Sequence, residues 1–246
     1  MKNKVLYTFL FSVLIIGAMS CGSKDTVAST TPDPSFTEEF DTLSNAISKG
    51  WVISNNTKPI GTISWVQGFY FLSLHHEYDG KLGATNTPYI GGFGGVGASA
   101  SGSDFVMTTA DCGHGKANCS NWLISPAVLM KNGDLISFYT RTVANPAVAA
   151  DRLQVRVNTV NSSAEVGKDS SSIGNFTELL LDINPNYLLE NAGSYPGIWT
   201  KHTVAVTGLP SARKSRIAFR YYVQDGGPAG TNSVAVGIDK FQFSSQ

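Results

Sequence analysis

Asn121-Trp122-Leu123-Ile124-Ser125-Pro126, followed by Asp134-Leu135-Ile136-Ser137-Phe138-Tyr139-Thr140-Arg141-Thr142, decides the fold. The first segment is an apolar triplet closed by a proline, which has no backbone N–H and therefore suits a strand end or edge. The second is rich in aromatic and branched residues and opens on a turn at Lys131-Asn132-Gly133-Asp134. Two such strands joined by a glycine-containing connection begin a sandwich core.

Further along, Leu153, Val155 and Val157 alternate with Arg152, Gln154 and Arg156, so the first set points inward and the second outward. Ile217, Phe219, Tyr221 and Val223 likewise share one face, and Arg216 and Arg220 the other, expected to be wet or paired with carboxylates. The final segment breaks this rule. Val234, Val236 and Ile238 have one parity, Phe241 and Phe243 the other, and a bulge near Asp239-Lys240 would restore the phase. The run from Phe176 to Ile183 fits a strand or a short helix. Toward the N-terminus, strands are expected within Phe36–Asp41, Gly50–Ile53, Thr62–Val66, Phe69–Phe71 and Phe105–Thr108. Short strands divided by turn signals, without an amphipathic helix or an internal repeat, make an all-β chain folded as an antiparallel β-sandwich.

The 246 residues suit one large domain, and 42% apolar content supports a real core. Charge is balanced, 18 basic against 18 acidic side chains, which offers no footprint for nucleic acid. Low charge and 25 glycines fit a turn-rich extracellular protein. Met1–Lys4 is basic and Val5–Gly17 apolar, so residues 1–20 read as an export signal, too short for a permanent span. Ala18-Met19-Ser20-Cys21-Gly22 resembles a bacterial lipobox, with Ala18 where Leu or Val is more usual. Residues 21–35 would then be a lipidated Cys21 and a flexible tether, with the domain at 36–246. The expected location is the outer membrane or cell surface, with membrane contact through the N-terminal lipid only. Lipidation would also account for the odd cysteine count, leaving Cys112 and Cys119 for a disulfide across a short loop. Zinc is disfavoured there, because the spacing is not that of a zinc finger and only His114 is nearby.

Together, Glu39-Phe40-Asp41, Gly50-Trp51, Ser64-Trp65-Val66-Gln67-Gly68, Asn121 to Pro126, Phe138 to Arg141, Asp151 to Arg156, Asp182 to Pro185, Tyr195-Pro196, Ala218 to Tyr221 and Gly237-Ile238-Asp239 resemble the choice-of-anchor J domain family. That family is close to cleaved adhesin domains and similar in outline to MAM-like jelly rolls. The resemblance covers Phe36 to Phe243. It implies a jelly-roll sandwich on an exported bacterial lipoprotein that binds or adheres, with no catalytic residues. It also implies a structural Ca2+ between the first and last strands, held by Glu39 or Asp41 and by Asp239; the bulge argument singles out Asp239 independently. Hard cations need several oxygen ligands, which backbone carbonyls help to supply.

Other constellations are weaker. His75, His76, Glu77 and Asp79 supply hydrolase residue types, but no Gly-x-Ser-x-Gly elbow accompanies them. The glycine run from Gly91 to Gly97 has no following Lys-Ser/Thr. The aromatic set Trp65, Phe69, Tyr70, Phe71, Tyr78, Tyr89 and Phe93 is either core or a stacking surface; Trp65, Tyr70, Tyr78 and Tyr89 are the ligand-binding candidates. The expected function is a non-catalytic surface module with a glycan or protein ligand. A secreted hydrolase and a purely structural envelope protein are the rivals.

Overall fold

Sixteen strands appear among the described residues: β1 (Phe36–Glu38), β2 (Val52–Asn55), β3 (Lys58–Ile60), β4 (Val66–Gln67), β5 (Tyr70–Leu74), β6 (Pro88–Gly92), β7 (Val106–Thr109), β8 (Gly113–Ile124), β9 (Val128–Met130), β10 (Leu135–Arg141), β11 (Leu153–Val157), β12 (Glu178–Ile183), β13 (Thr200–Ala205), β14 (Arg213–Ser215), β15 (Ile217–Gly226) and β16 (Ala235–Ser244). This computed structural model describes residues 33–68, 70–74, 88–96, 102–143, 149–189 and 192–246. The expected signal, Cys21 and most of the tether therefore lie outside the described residues. So do Phe69, the histidines at 75 and 76, Glu77, Tyr78 and Asp79.

One sheet runs β13-β10-β16-β7-β4, with β1 beside the far half of β16. The other runs β12-β11-β15-β8-β2, with β3 beside the near half of β8. Every pairing is antiparallel, and β5–β6 and β9–β14 form separate ribbons. This is the antiparallel jelly-roll sandwich expected from the sequence. The two deciding segments lie in opposite sheets, β8 in one and β10 in the other. Asn121, fully buried on β8, ties the sheets together by donating to Thr108 Oγ1 on β7 at 2.8 Å and accepting from Ser64 Oγ at 2.6 Å.

The alternation argument holds where it was cleanest. Leu153, Val155, Val157, Ile217, Phe219, Tyr221 and Val223 are all 0% exposed. On β16, Ser137 pairs with Gln242 whereas Tyr139 pairs with Asp239, so β16 carries one extra residue. Lys240 takes the left-handed turn, with φ +49°. The bulge puts Val236, Ile238, Phe241 and Phe243 in one core, as the broken parity required. Phe241 meets Trp51 edge-on at 5.2 Å, and Trp51 meets Phe40 at 5.0 Å.

Two local features differ from expectation, and a third that was left open is decided. A short helix, α1 (Leu43–Ser48), is capped by Thr42, whose side chain accepts from Asn45 N. The expected cysteine loop is the first half of β8, where neighbouring strands override poor β propensity. The ambiguous run before Ile183 is a strand from Glu178.

The outward arginines are neither wet nor, apart from Arg152, paired with carboxylates. Gln154, Arg156 and Arg220 are 3%, 9% and 2% exposed because the segment 158–177 lies over them. Arg156 donates to Phe176 O, Arg220 to Ser170 O, Arg216 to Ser162 O and Arg213 to Thr159 O, so four guanidinium groups hold one segment by its backbone carbonyls. Arg220 also stacks on Tyr222 at 3.8 Å and Trp122 at 4.8 Å, and its burial lowers its pKa to about 9. Val166 and Phe176 pack on Trp122, Ile124 and Ala218 beneath the segment. The outer face of the other sheet is covered similarly by Phe93, Phe105 and Trp199. Gly237 permits this: a Cβ there would lie 2.4 Å from Phe93.

Candidate functional site

Asp239 is 2% exposed. The bulge turns its carboxylate toward Val96 N, which donates at 2.7 Å, while Lys240 N donates at 2.6 Å. Burial still dominates, and the neighbouring Asp104 adds repulsion, so Asp239 is pushed up to about 6. Asp104 Oδ1 is buried without a hydrogen-bond partner. Glu39 instead points to Lys240 Nζ at 3.6 Å and is 51% exposed; Asp41 is exposed. Two crowded carboxylates, one with an unspent oxygen, have the chemistry of hard-cation ligands. Asp104 is thus a better companion to Asp239 than Glu39 or Asp41, although no cluster of three or more His, Cys, Asp or Glu side chains able to hold a metal occurs among the described residues.

Cys112 and Cys119 are brought together, both 0% exposed. The structure carries them as free thiols rather than the expected disulfide. The hydrogen bond with Cys112, then burial, pushes the Cys119 thiol far above the usual range. Zinc chemistry needs thiolates, and the buried Cys119 thiol resists ionisation.

The aromatic candidates separate. Trp65 is 2% exposed and belongs to the main core, which corrects its assignment as a ligand residue: a side chain packed between the sheets cannot stack on a ligand. Phe93 is covered as well, at 3%. Tyr70 and Tyr89 lie on the β5–β6 ribbon, and their side chains, like Tyr78 altogether, fall outside the described residues.

A recess of about 320 Å3, lined by Lys58, Lys116, Ala117, Asn118 and Asp225, lies where three strands lose register together. Against β3, β8 passes from Asn118 opposite Lys58 to Gly113 opposite Ile60. Against β15, it passes from Cys119 opposite Val223 to Ala117 opposite Gly226. The excess residues turn through positive φ at Gly115 (+58°) and Asp225 (+53°), which keeps the three strands from closing over the gap. Lys116 Nζ forms an ion pair with Asp225 Oδ1 at 2.7 Å, and Thr231 Oγ1 donates to Oδ2 at 2.8 Å. These bonds hold Asp225 below the usual carboxylate range, Lys116 contributing most. Sequence reasoning missed this recess, because Lys116, Ala117 and Asn118 read only as the span between Cys112 and Cys119, and nothing in the sequence brings Lys58 and Asp225 beside them.

No protein-family model matches the sequence, and no curated protein matches it. Among solved structures, the K3 cleaved adhesin domain of Lys-gingipain from Porphyromonas gingivalis is similar at 17% identity and a TM-score of 0.51, covering 86% of this chain and 99% of that one. The K1 domain of the same protein gives 18% identity and a TM-score of 0.48, over 86% and 98%. A xylan-binding domain from Paenibacillus barcinonensis gives 13% and 0.38, over 85% and 92%. The K3 likeness establishes a shared fold.

Proposed function

We propose that the chain is a non-catalytic binding module, exported and held at the outer membrane or cell surface by a lipid on Cys21, that engages an extracellular glycan or protein. The observation carrying this reading is that deeply buried polar groups serve the frame. Asp151, 1% exposed, accepts from Tyr221 OH at 2.6 Å and Val234 N at 2.8 Å, and also from Thr142 Oγ1. It binds the segment before β11 to β15 and β16, and burial raises its pKa. Arg220 and Asn121 are enclosed in the same way. Groups so enclosed position loops and cannot meet a substrate. The fold shared with an adhesin domain supports the reading by analogy. Calcium enters as a structural ion, with Asp239 and Asp104 as its carboxylates and charge compensation at the bulge as its contribution.

The test is retention of the purified mature protein on a panel of polysaccharides and envelope or host proteins. Saturable retention without turnover is expected. Cleavage of any panel member overturns the non-catalytic reading, and no retention anywhere overturns the binding reading. Labelled fatty acid should enter the wild type and not Cys21→Ser.

A further inference from the structure

We infer that the recess over β3, β8 and β15 seats one acidic sugar residue, its anionic group held between the ammonium groups of Lys58 and Lys116. The inference rests on the glycan branch of the proposed function. It starts from which hydrogen-bonding groups in the recess are already used. The Asp225 carboxylate is occupied by Lys116 and Thr231. Asn118 Oδ1 accepts from Asp225 N at 3.5 Å, while its Nδ2 has no acceptor among the described residues. Lys58 has no ion-pair partner among them either, and Lys116 has one, Asp225. The groups left over are therefore mainly donors, two of them cationic, beside one carboxylate that is ion-paired to Lys116.

A donor-rich site with a net positive charge favours an acceptor-rich anion, and hydrogen bonds assisted by charge are the strong ones. Its volume lies at the small end of ligand sites. That suits one pyranose ring with a carboxylate or sulfate, not a broad protein epitope. The walls are also fixed in advance. Ala229 N donates to Gly115 O at 3.2 Å, and Thr231 N and Asn232 N both donate to Asp225 O. At Gly227, φ +83°, an added Cβ would stand 2.2 Å from Gly115 O, so the two turns that flank the recess pack directly on each other. A preformed site spends little of its interaction energy on ordering.

The test is titration of the mature protein with polygalacturonate, carrageenan and neutral xylan, at low and raised salt. Lys58→Gln, Lys116→Gln, Asp225→Asn and the remote surface variant Lys201→Gln are compared with wild type. Binding of an acidic glycan is expected, weakened about tenfold or more by loss of either recess lysine, as for hydrogen bonds to charged groups. Asp225→Asn should retain or strengthen it, Lys201→Gln should leave it unchanged, and salt should weaken it. Preference for polygalacturonate assigns a carboxylate, and preference for carrageenan a sulfate. Lys58 is exposed, so Lys58→Gln keeps the test available if Lys116→Gln unfolds. Equal losses in Lys201→Gln, or retention of xylan or a protein that ignores both recess lysines, overturns the inference and leaves the binding module standing. No retention of any panel member overturns both.

Discussion

Deleting one residue from the middle of a central strand ordinarily wrecks a sandwich, yet deletion of Lys240 should be tolerated. In the wild type, Tyr139 faces Asp239 and Ser137 faces Gln242, with one residue too many between them on β16. Removing Lys240 leaves both pairings in place and sets Phe241 opposite Phe138. Ile238, Phe241 and Phe243 then alternate regularly, so no core side chain changes face. The deletion removes a lysine at φ +49°, a conformation costing about 1 kcal/mol. It also removes a half-exposed ion pair with Glu39, worth about 0–1 kcal/mol. The net change should fall within about 2 kcal/mol, given that the Lys240 N–H on Asp239 is lost as well. Deletion of Gln242 is the contrast. However the strand relaxes, either Phe241 or Phe243 must turn outward, and both are 0% exposed. The cost should approach that of truncating a buried phenylalanine, about 3–5 kcal/mol. Urea denaturation followed by tryptophan fluorescence measures both. Equal losses of stability in the two deletions would refute the bulge argument.

Four other outcomes can be checked. Asp239 has a folded pKa of about 6, above its ordinary value of 3.8, so its protonation stabilises the folded state. That contribution is full below about pH 4 and is lost as pH rises through about 6, amounting to roughly 3 kcal/mol; Asp239→Asn should flatten this part of the stability profile, and a pH dependence identical to wild type would contradict it. If calcium binds there, adding it at neutral pH should raise the wild-type melting temperature and leave Asp239→Asn unmoved, and a chelator should reverse the rise. In exported protein, mass spectrometry should find Cys112 and Cys119 joined, closing a short loop worth about 2–3 kcal/mol; two thiols titrating only after unfolding would establish the reduced pair instead. Gly237→Ala should cost about 1–3 kcal/mol and alter Trp199 emission, because the new methyl would stand 2.4 Å from Phe93 and 2.9 Å from Trp199; an unchanged spectrum and midpoint would mean that these rings move aside freely.

What could be read from the sequence follows the range of the forces involved. Parity along a strand is local, so the inward set on β15 and the bulge at Lys240 were both legible. Arg156 and Arg220 were assigned to the correct face but the wrong environment, because alternation cannot show that residues 158–177 return to cover it. Trp65 illustrates a related limit: an aromatic beside a turn reads equally well as core or platform until the opposing sheet is in place. The same holds for Asp239, whose electrostatic neighbour, Asp104, lies far away in sequence. The recess was illegible for the strongest reason, since it is made by gaps in pairing between β3, β8 and β15, and gaps leave no residue pattern.

The arginines that grip residues 158–177 have a consequence for how this surface can change. They hold carbonyl oxygens, which every amino acid possesses. The outward side chains of the segment, such as Ser162, Lys168, Asp169 and Ser171, can therefore be exchanged without loosening its course. That separates the inheritance of shape from the inheritance of surface chemistry. A library randomised at those four positions should keep the parental melting temperature while presenting new recognition faces, as a scaffold for selected binders must.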